Sequence, residues 1–138
     1  MSLGRTRLFV AAVGAVCLAL SAFSLSRIGG PEATRMERRD QIRLDQIREV
    51  ARALICHAEG GGAEPAALGG VSGACLSPDR AAQLVDPLTG AAYRIERPSP
   101  GVVAVCAEFE AVARLGRTDW ADPPFDRESG CVTAAPRP

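Results

Sequence analysis

Leu8–Leu25 reads LFVAAVGAVCLALSAFSL, eighteen consecutive residues without a charge, set between Arg5 and Arg7 on one side and Arg27 on the other. A helix that crosses a bilayer needs roughly 20 mostly apolar residues, with about 17–25 tolerated, whereas the apolar core of a cleaved signal spans about 7–15. The stretch therefore predicts a transmembrane anchor over 8–25, preceded by a short tail, 1–7. It reads poorly as the core helix of a small soluble domain, because such a helix keeps a polar face and this run has none. The rival reading is a signal sequence, since Ser24-Leu25-Ser26 puts small residues where a signal peptidase acts. Cys17 follows Val16 deep within the run, which is the wrong setting for a lipid-modified cysteine.

Moving outward, Gly29-Gly30-Pro31 breaks the first helix, and Pro31 with Glu32 suits the start of a second. That helix is expected over 31–58, stopped by Gly60-Gly61-Gly62. From Glu32 to Arg43 it is charged nearly all round, with acid–base pairs three apart at Glu32/Arg35 and Asp40/Arg43, and reads as a solvated stalk. From Leu44 onward, Leu44, Ile47, Ala51, Leu54, Ile55 and Ala58 recur at helical spacing and predict a face that packs on a core.

The remainder, 59–138, is expected to form a small α+β region. Ser77 caps a brief helix over 78–84, and Asp86-Pro87-Leu88-Thr89-Gly90 predicts a turn. Two strands follow, 92–97 and 102–109, joined at Pro98-Ser99-Pro100-Gly101 into an antiparallel hairpin with Val103, Val105, Ala107 and Phe109 on one face. The tail from Glu110 shows no sustained period and reads as a loop. Beyond the apolar run only Tyr93, Phe109, Trp120 and Phe125 are aromatic, so the core is thin and calls for covalent staples.

Cys56, Cys75, Cys106 and Cys131 are the candidate staples. They form an even set with no CxxC pair, which favours two structural disulfides in an oxidising compartment over zinc or thioredoxin-like chemistry. Four cysteines allow three pairings; in one of them Cys131 ties the tail back to Cys106, closing a loop of about 25 residues worth on the order of 3 kcal/mol. The cysteines place the domain outside the cytoplasm. The basic flanks oppose this, because Arg27, Arg35, Arg38, Arg39 and Arg43 outnumber Arg5 and Arg7.

Sixteen basic residues, all arginine, balance sixteen acidic ones, so no nucleic-acid surface is implied. Candidate chemistry is sparse. His57 beside Cys56 invites a nucleophile–base or metal reading, but neighbours on a helix point about 100° apart; a disulfide-bonded Cys56, with His57 a helix C-terminal cation when protonated, fits better. Glu108 and Glu110 would share a strand face and form a carboxylate pair for acid–base work, the basis of an alternative enzymatic reading. Asp119, Asp122 and Asp126 would suit calcium but match no loop pattern. No G-x-S-x-G, HExxH or phosphate loop occurs, so no catalytic residue, cofactor, metal or small-molecule substrate is assigned.

The order of these features resembles type IV pilin-like and type II secretion pseudopilin-like proteins. Asp40–Leu54 is similar to the continuation of their first helix, Asp86–Tyr93 to their turn into the first strand, and Val105–Phe109 with Trp120 and Gly130-Cys131 to the strand and closing cysteine of small membrane-anchored relatives. The family's cleavage glycine, followed by Phe-Thr-Leu and a glutamate, is missing from Gly4–Val13, GRTRLFVAAV. The resemblance thus implies a fixed single-pass anchor in the cytoplasmic (inner) membrane. It implies an α+β domain facing the periplasm or exterior and a non-enzymatic structural or binding role with another envelope protein. A binding module released by signal cleavage is the further alternative.

Overall fold

The computed structural model describes residues 2–28, 30–63, 65, 67–116 and 122–136, so Trp120 and Asp119 lie outside the described residues. The fold is α+β: an apolar N-terminal helix, further helices, a four-stranded antiparallel sheet and two disulfides. It divides into two compact units, Met1–Arg35 and Met36–Pro138.

In the first unit, α1 (Ser2–Ile28) contains a 19-residue window, Thr6–Ser24, with a mean hydropathy of 1.9 and no buried residue. At 1.5 Å per residue this window is about 28 Å long, close to the ~30 Å hydrocarbon thickness of a bilayer. It is long and apolar enough to span a membrane. α2 (Pro31–Glu59) begins in this unit, where Thr34 N–H donates to Gly30 O and Arg35 pairs with Glu32 at 3.6 Å in solvent.

The second unit is organised by the rest of α2. Leu44, Ile47, Val50, Ala51 and Leu54 are all but fully buried, in one cluster with Val103, Val105, Phe125 and Val132 of the sheet. Gly60, Gly61 and Gly62 end the helix: their amides donate to Cys56 O, Ala58 O and His57 O, and Gly61 takes the left-handed φ of 76° that glycine tolerates best. α3 (Pro78–Gln83) is capped as expected by Ser77, whose hydroxyl accepts from Arg80 N–H at 3.3 Å. The expected 78–84 helix is thus one residue shorter.

The sheet runs β1-β2-β4-β3, from β1 (Arg94–Ser99), β2 (Val102–Cys106), β3 (Phe125–Asp126) and β4 (Cys131–Ala134). The hairpin expected over 92–109 is present as β1 and β2, with Ile95 opposite Val105 and Arg94 opposite Cys106. β2 stops three residues earlier than the alternation suggests. Ala107 N–H still reaches Gly130 O, but the amides of Glu110 and Ala111 donate to the Asp40 carboxylate instead of a neighbouring strand.

The tail beyond Glu110, expected to be a loop, supplies half the strands of the sheet. β4 lies inside it, pairing Val132 with Val105 on one side and Phe125 on the other. Strands of two and four residues are too short to display a period, which is why the pattern is silent there. The turn between them is set by Asp126, whose carboxylate accepts from Glu128 N–H, Ser129 N–H and Ser129 Oγ, and by Gly130 at φ 68°. A Cβ on Gly130 would sit 2.7 Å from Ala107 O. Gly130→Ala is therefore expected to cost roughly 1–3 kcal/mol, combining the left-handed penalty with displacement of β4 from β2. A lowered urea midpoint at unchanged m-value checks it.

Candidate functional site

The second unit is tied together by a buried arginine. Arg43 (2% exposed) sits one helical turn below Asp40 (0%) on α2, and both were expected in a solvated stalk. That expectation fails at this end of 32–43: the pair three apart is present, but it is buried under residues from 86 and 110 that no local pattern announces. Arg43 Nε and Nη2 hold Asp86 Oδ2 and Oδ1 at 2.6 and 3.3 Å, while Nη1 reaches Asp40 Oδ1 at 2.7 Å and Glu110 Oε2 at 2.8 Å. Arg39 grips Glu110 from the rim through two bonds of 2.8 Å.

Each carboxylate does a second task. Asp40 Oδ1 and Oδ2 accept the amides of Glu110 and Ala111 at 3.0 and 2.6 Å, closing the end of β2. Asp86 Oδ1 accepts the amides of Leu88 and Thr89, both at 2.9 Å, which builds the expected turn over 86–90. Tyr93, buried beyond that turn, places its hydroxyl against Gln46 Oε1 on α2 and Val85 O. One cluster thus joins helix, turn and sheet.

The electrostatics follow from these contacts. Burial pulls the Arg43 guanidinium down, but hydrogen bonds to Asp86, Glu110 and Asp40 outweigh it and hold the guanidinium above its ordinary value. The Arg43 bond drives Asp86 well below the usual carboxylate range, with help from the Thr89 and Leu88 amides. Arg39 and then Arg43 hold Glu110 at about 2. Burial, with the Asp86 charge, pushes Tyr93 up to about 12.

These directions fix a pH dependence. Glu110 and Asp86 have folded values below their unfolded ones, so their contribution is complete above about pH 4.5 and drains away as pH falls toward 2. Glu110→Gln is expected to flatten the acid limb of a plot of urea midpoint against pH between 5 and 2. An unchanged limb would mean that other carboxylates carry it.

The candidate residues named from sequence separate on this frame. Glu110 belongs to the arginine cluster, and a carboxyl held at about 2 is far from the near-neutral value that acid–base catalysis needs. Glu108 is exposed and lines a polar cavity of about 450 Å³ with Asp86, Tyr93, Arg94 and Ser129. Asp126 is spent on its own turn, and among the described residues no group of three His, Cys, Asp or Glu side chains could hold a metal.

His57 stands in the last turn of α2 with both ring nitrogens engaged. Its Nδ1 accepts Ser72 N–H and its Nε2 faces Ala63 O, both at 3.0 Å, contacts that the tautomer carrying its proton on Nε2 satisfies together. Cys56 beside it is bonded to Cys75, and Cys106 to Cys131, so all four candidate cysteines are paired in one of the three open combinations. Arg39, Arg43, Asp40 and Asp86 were not singled out as a site. The available signals were the Asp40/Arg43 spacing and the Asp86-Pro87 turn, which nothing in the sequence connects. No protein family model, no curated protein and no solved structure matches the chain.

Proposed function

We propose that this is a single-pass membrane protein of the cell envelope whose disulfide-bonded domain faces the periplasm or exterior and acts as a structural or protein-binding component, without enzymatic activity. The observation that carries the reading is the pairing of one span-length apolar helix with a domain stapled by two disulfides. Such bonds persist in oxidising compartments and are rare in a reduced cytosol, so they outweigh the arginine count on the C-terminal flank. The likeness to pilin-like and pseudopilin-like proteins supports the same role. The order of an apolar helix, a charged-then-apolar second helix and an antiparallel sheet resembles that of those proteins, and the closing cysteine resembles that of small membrane-anchored relatives.

The site chemistry agrees with a binding or structural role. The carboxylates gathered at Arg43 are fully engaged by guanidinium and amide donors, an arrangement suited to fixing three chain segments and unsuited to proton transfer near neutral pH. Intact-mass and alkylation analysis of the protein extracted from its native membrane without reductant tests placement. Residues 1–26 should be retained, and only Cys17 of the five cysteines should react once the protein is denatured. Four further reactive thiols would overturn the external placement, and a chain starting near 26 would overturn the anchor. Native electrophoresis after mild solubilisation tests the role: migration in an assembly larger than the single chain is expected, and migration as a lone monomer would count against it.

A further inference from the structure

The two disulfides occupy opposite environments. Cys106 and Cys131 are 3% and 7% exposed and face each other across β2 and β4. Cys56 is exposed at the end of α2 and Cys75 is only half-buried. Cys56 also lines a surface cavity of about 330 Å³ with Arg52, Ile55, Pro123 and Pro124. Thiol–disulfide exchange needs a thiolate to reach a sulfur in line with the bond it breaks, so access separates the two pairs before any difference in bond strength does.

The segment closed by Cys56–Cys75 has a second fastening. His57 binds Ala63 O and Ser72 N–H from its two ring nitrogens, and Gly62 lies so close that a Cβ there would be 2.2 Å from Nε2. Val71 and Leu76 anchor the far end of the segment in the core. Breaking the disulfide therefore leaves this loop held by the imidazole clasp, with Cys75 still near Cys56.

We propose that Cys56–Cys75 is a thiol-exchange site, that Cys56 is the sulfur attacked by an incoming protein dithiol, and that His57 is the positioning residue that keeps Cys75 in place for the bond to re-form. The dithiol's thiolate bonds to Cys56 Sγ and the Cys56–Cys75 bond breaks, releasing Cys75 as thiolate. The second thiol of the partner then displaces Cys56, so two electrons pass to this protein and the partner leaves as its own disulfide; the same exchange run in reverse, with a protein disulfide as the oxidant, re-forms Cys56–Cys75 and returns the two electrons. The Cys106–Cys131 pair remains closed throughout and keeps the sheet folded.

Timed reduction of the full-length protein in detergent, with dithiothreitol and in parallel with thioredoxin, tests this by quenching with a thiol alkylator and mapping the labelled peptides. Cys56 and Cys75 should label at least about tenfold faster than Cys106 and Cys131. Equal rates, or the reverse order, would overturn the assignment. The Cys56→Ala/Cys75→Ala variant should keep a cooperative urea transition; loss of the folded domain on opening this bond alone would also overturn it. At equilibrium with glutathione, His57→Ala should shift the 56–75 pair toward the dithiol by about tenfold through a lower effective thiol concentration. His57→Gln, which lacks the Nδ1 acceptor, should fall between Ala and the native residue. An unmoved equilibrium in both variants would remove His57 from the mechanism.

Discussion

Arg43→Met is expected to destabilise the second unit by about 3–5 kcal/mol, the range found when one member of a buried ion pair is removed. The loss is large because three carboxylates converge on that guanidinium. Asp40, with 0% exposure, cannot recover the interaction from water. Set against a net stability of about 5–15 kcal/mol for a native domain, the change takes a substantial fraction of the whole. The contrast that identifies the cause is Arg35→Met. Its partner Glu32 is 67% exposed and the pair spans 3.6 Å in solvent, so a change within about 0.5 kcal/mol is expected. Asp40→Asn added to Arg43→Met should restore part of the loss, since the amide oxygen still accepts one backbone N–H while the uncompensated charge is gone. Urea denaturation of the full-length protein in detergent at pH 7 reads all three. Equal effects for Arg35 and Arg43 would show that burial of the cluster contributes nothing.

Removing the inner disulfide is the second large effect. Cys106→Ala/Cys131→Ala should cost about 3.5 kcal/mol by the loop-entropy relation for a 25-residue separation. The same relation gives about 3.2 kcal/mol for the 19-residue separation of Cys56 and Cys75, so chain entropy hardly distinguishes the two. Packing does. Cys106 and Cys131 are almost fully buried at paired positions of adjacent strands, and truncating them leaves unfilled volume behind the sheet. The expected order is a larger midpoint shift for the inner pair; an equal or smaller shift would mean that the sheet relaxes to fill the space.

The fold was legible wherever pattern and chemistry are local. α2 ends within one residue of its expected C-terminus because Gly60-Gly61-Gly62 leaves a helix no easy way to continue, and Ser77 marks α3 by its cap. The four cysteines identified themselves by number and spacing, and the Leu44–Leu54 face by period. What stayed hidden depends on partners far away in the chain. Asp40 and Arg43 look like an exposed helical pair until residues 86 and 110 cover them, at separations of 43 and 67 from Arg43. Burial by distant segments leaves no trace in a seven-residue window. β3 and β4 escaped for another reason: their side chains qualify, but their length does not. For His57 the sequence shows only a helix-end position, and the two backbone groups that claim its ring come from a loop with no pattern of its own.

The position of β4 has a consequence for how the molecule comes into being. One of the two inner places in the sheet is filled from residues 131–134, so β2 lacks one neighbour, Cys106 lacks its partner and Phe125 lacks its pairing row until that stretch arrives. The β2–β4 contacts, unlike those of β3 with β4, join residues far apart in sequence and are made late, because chain closure must precede the reward. A nascent polypeptide emerging N-terminus first therefore carries an incomplete sheet, with Cys106 unpaired, until residues 131–134 have been made.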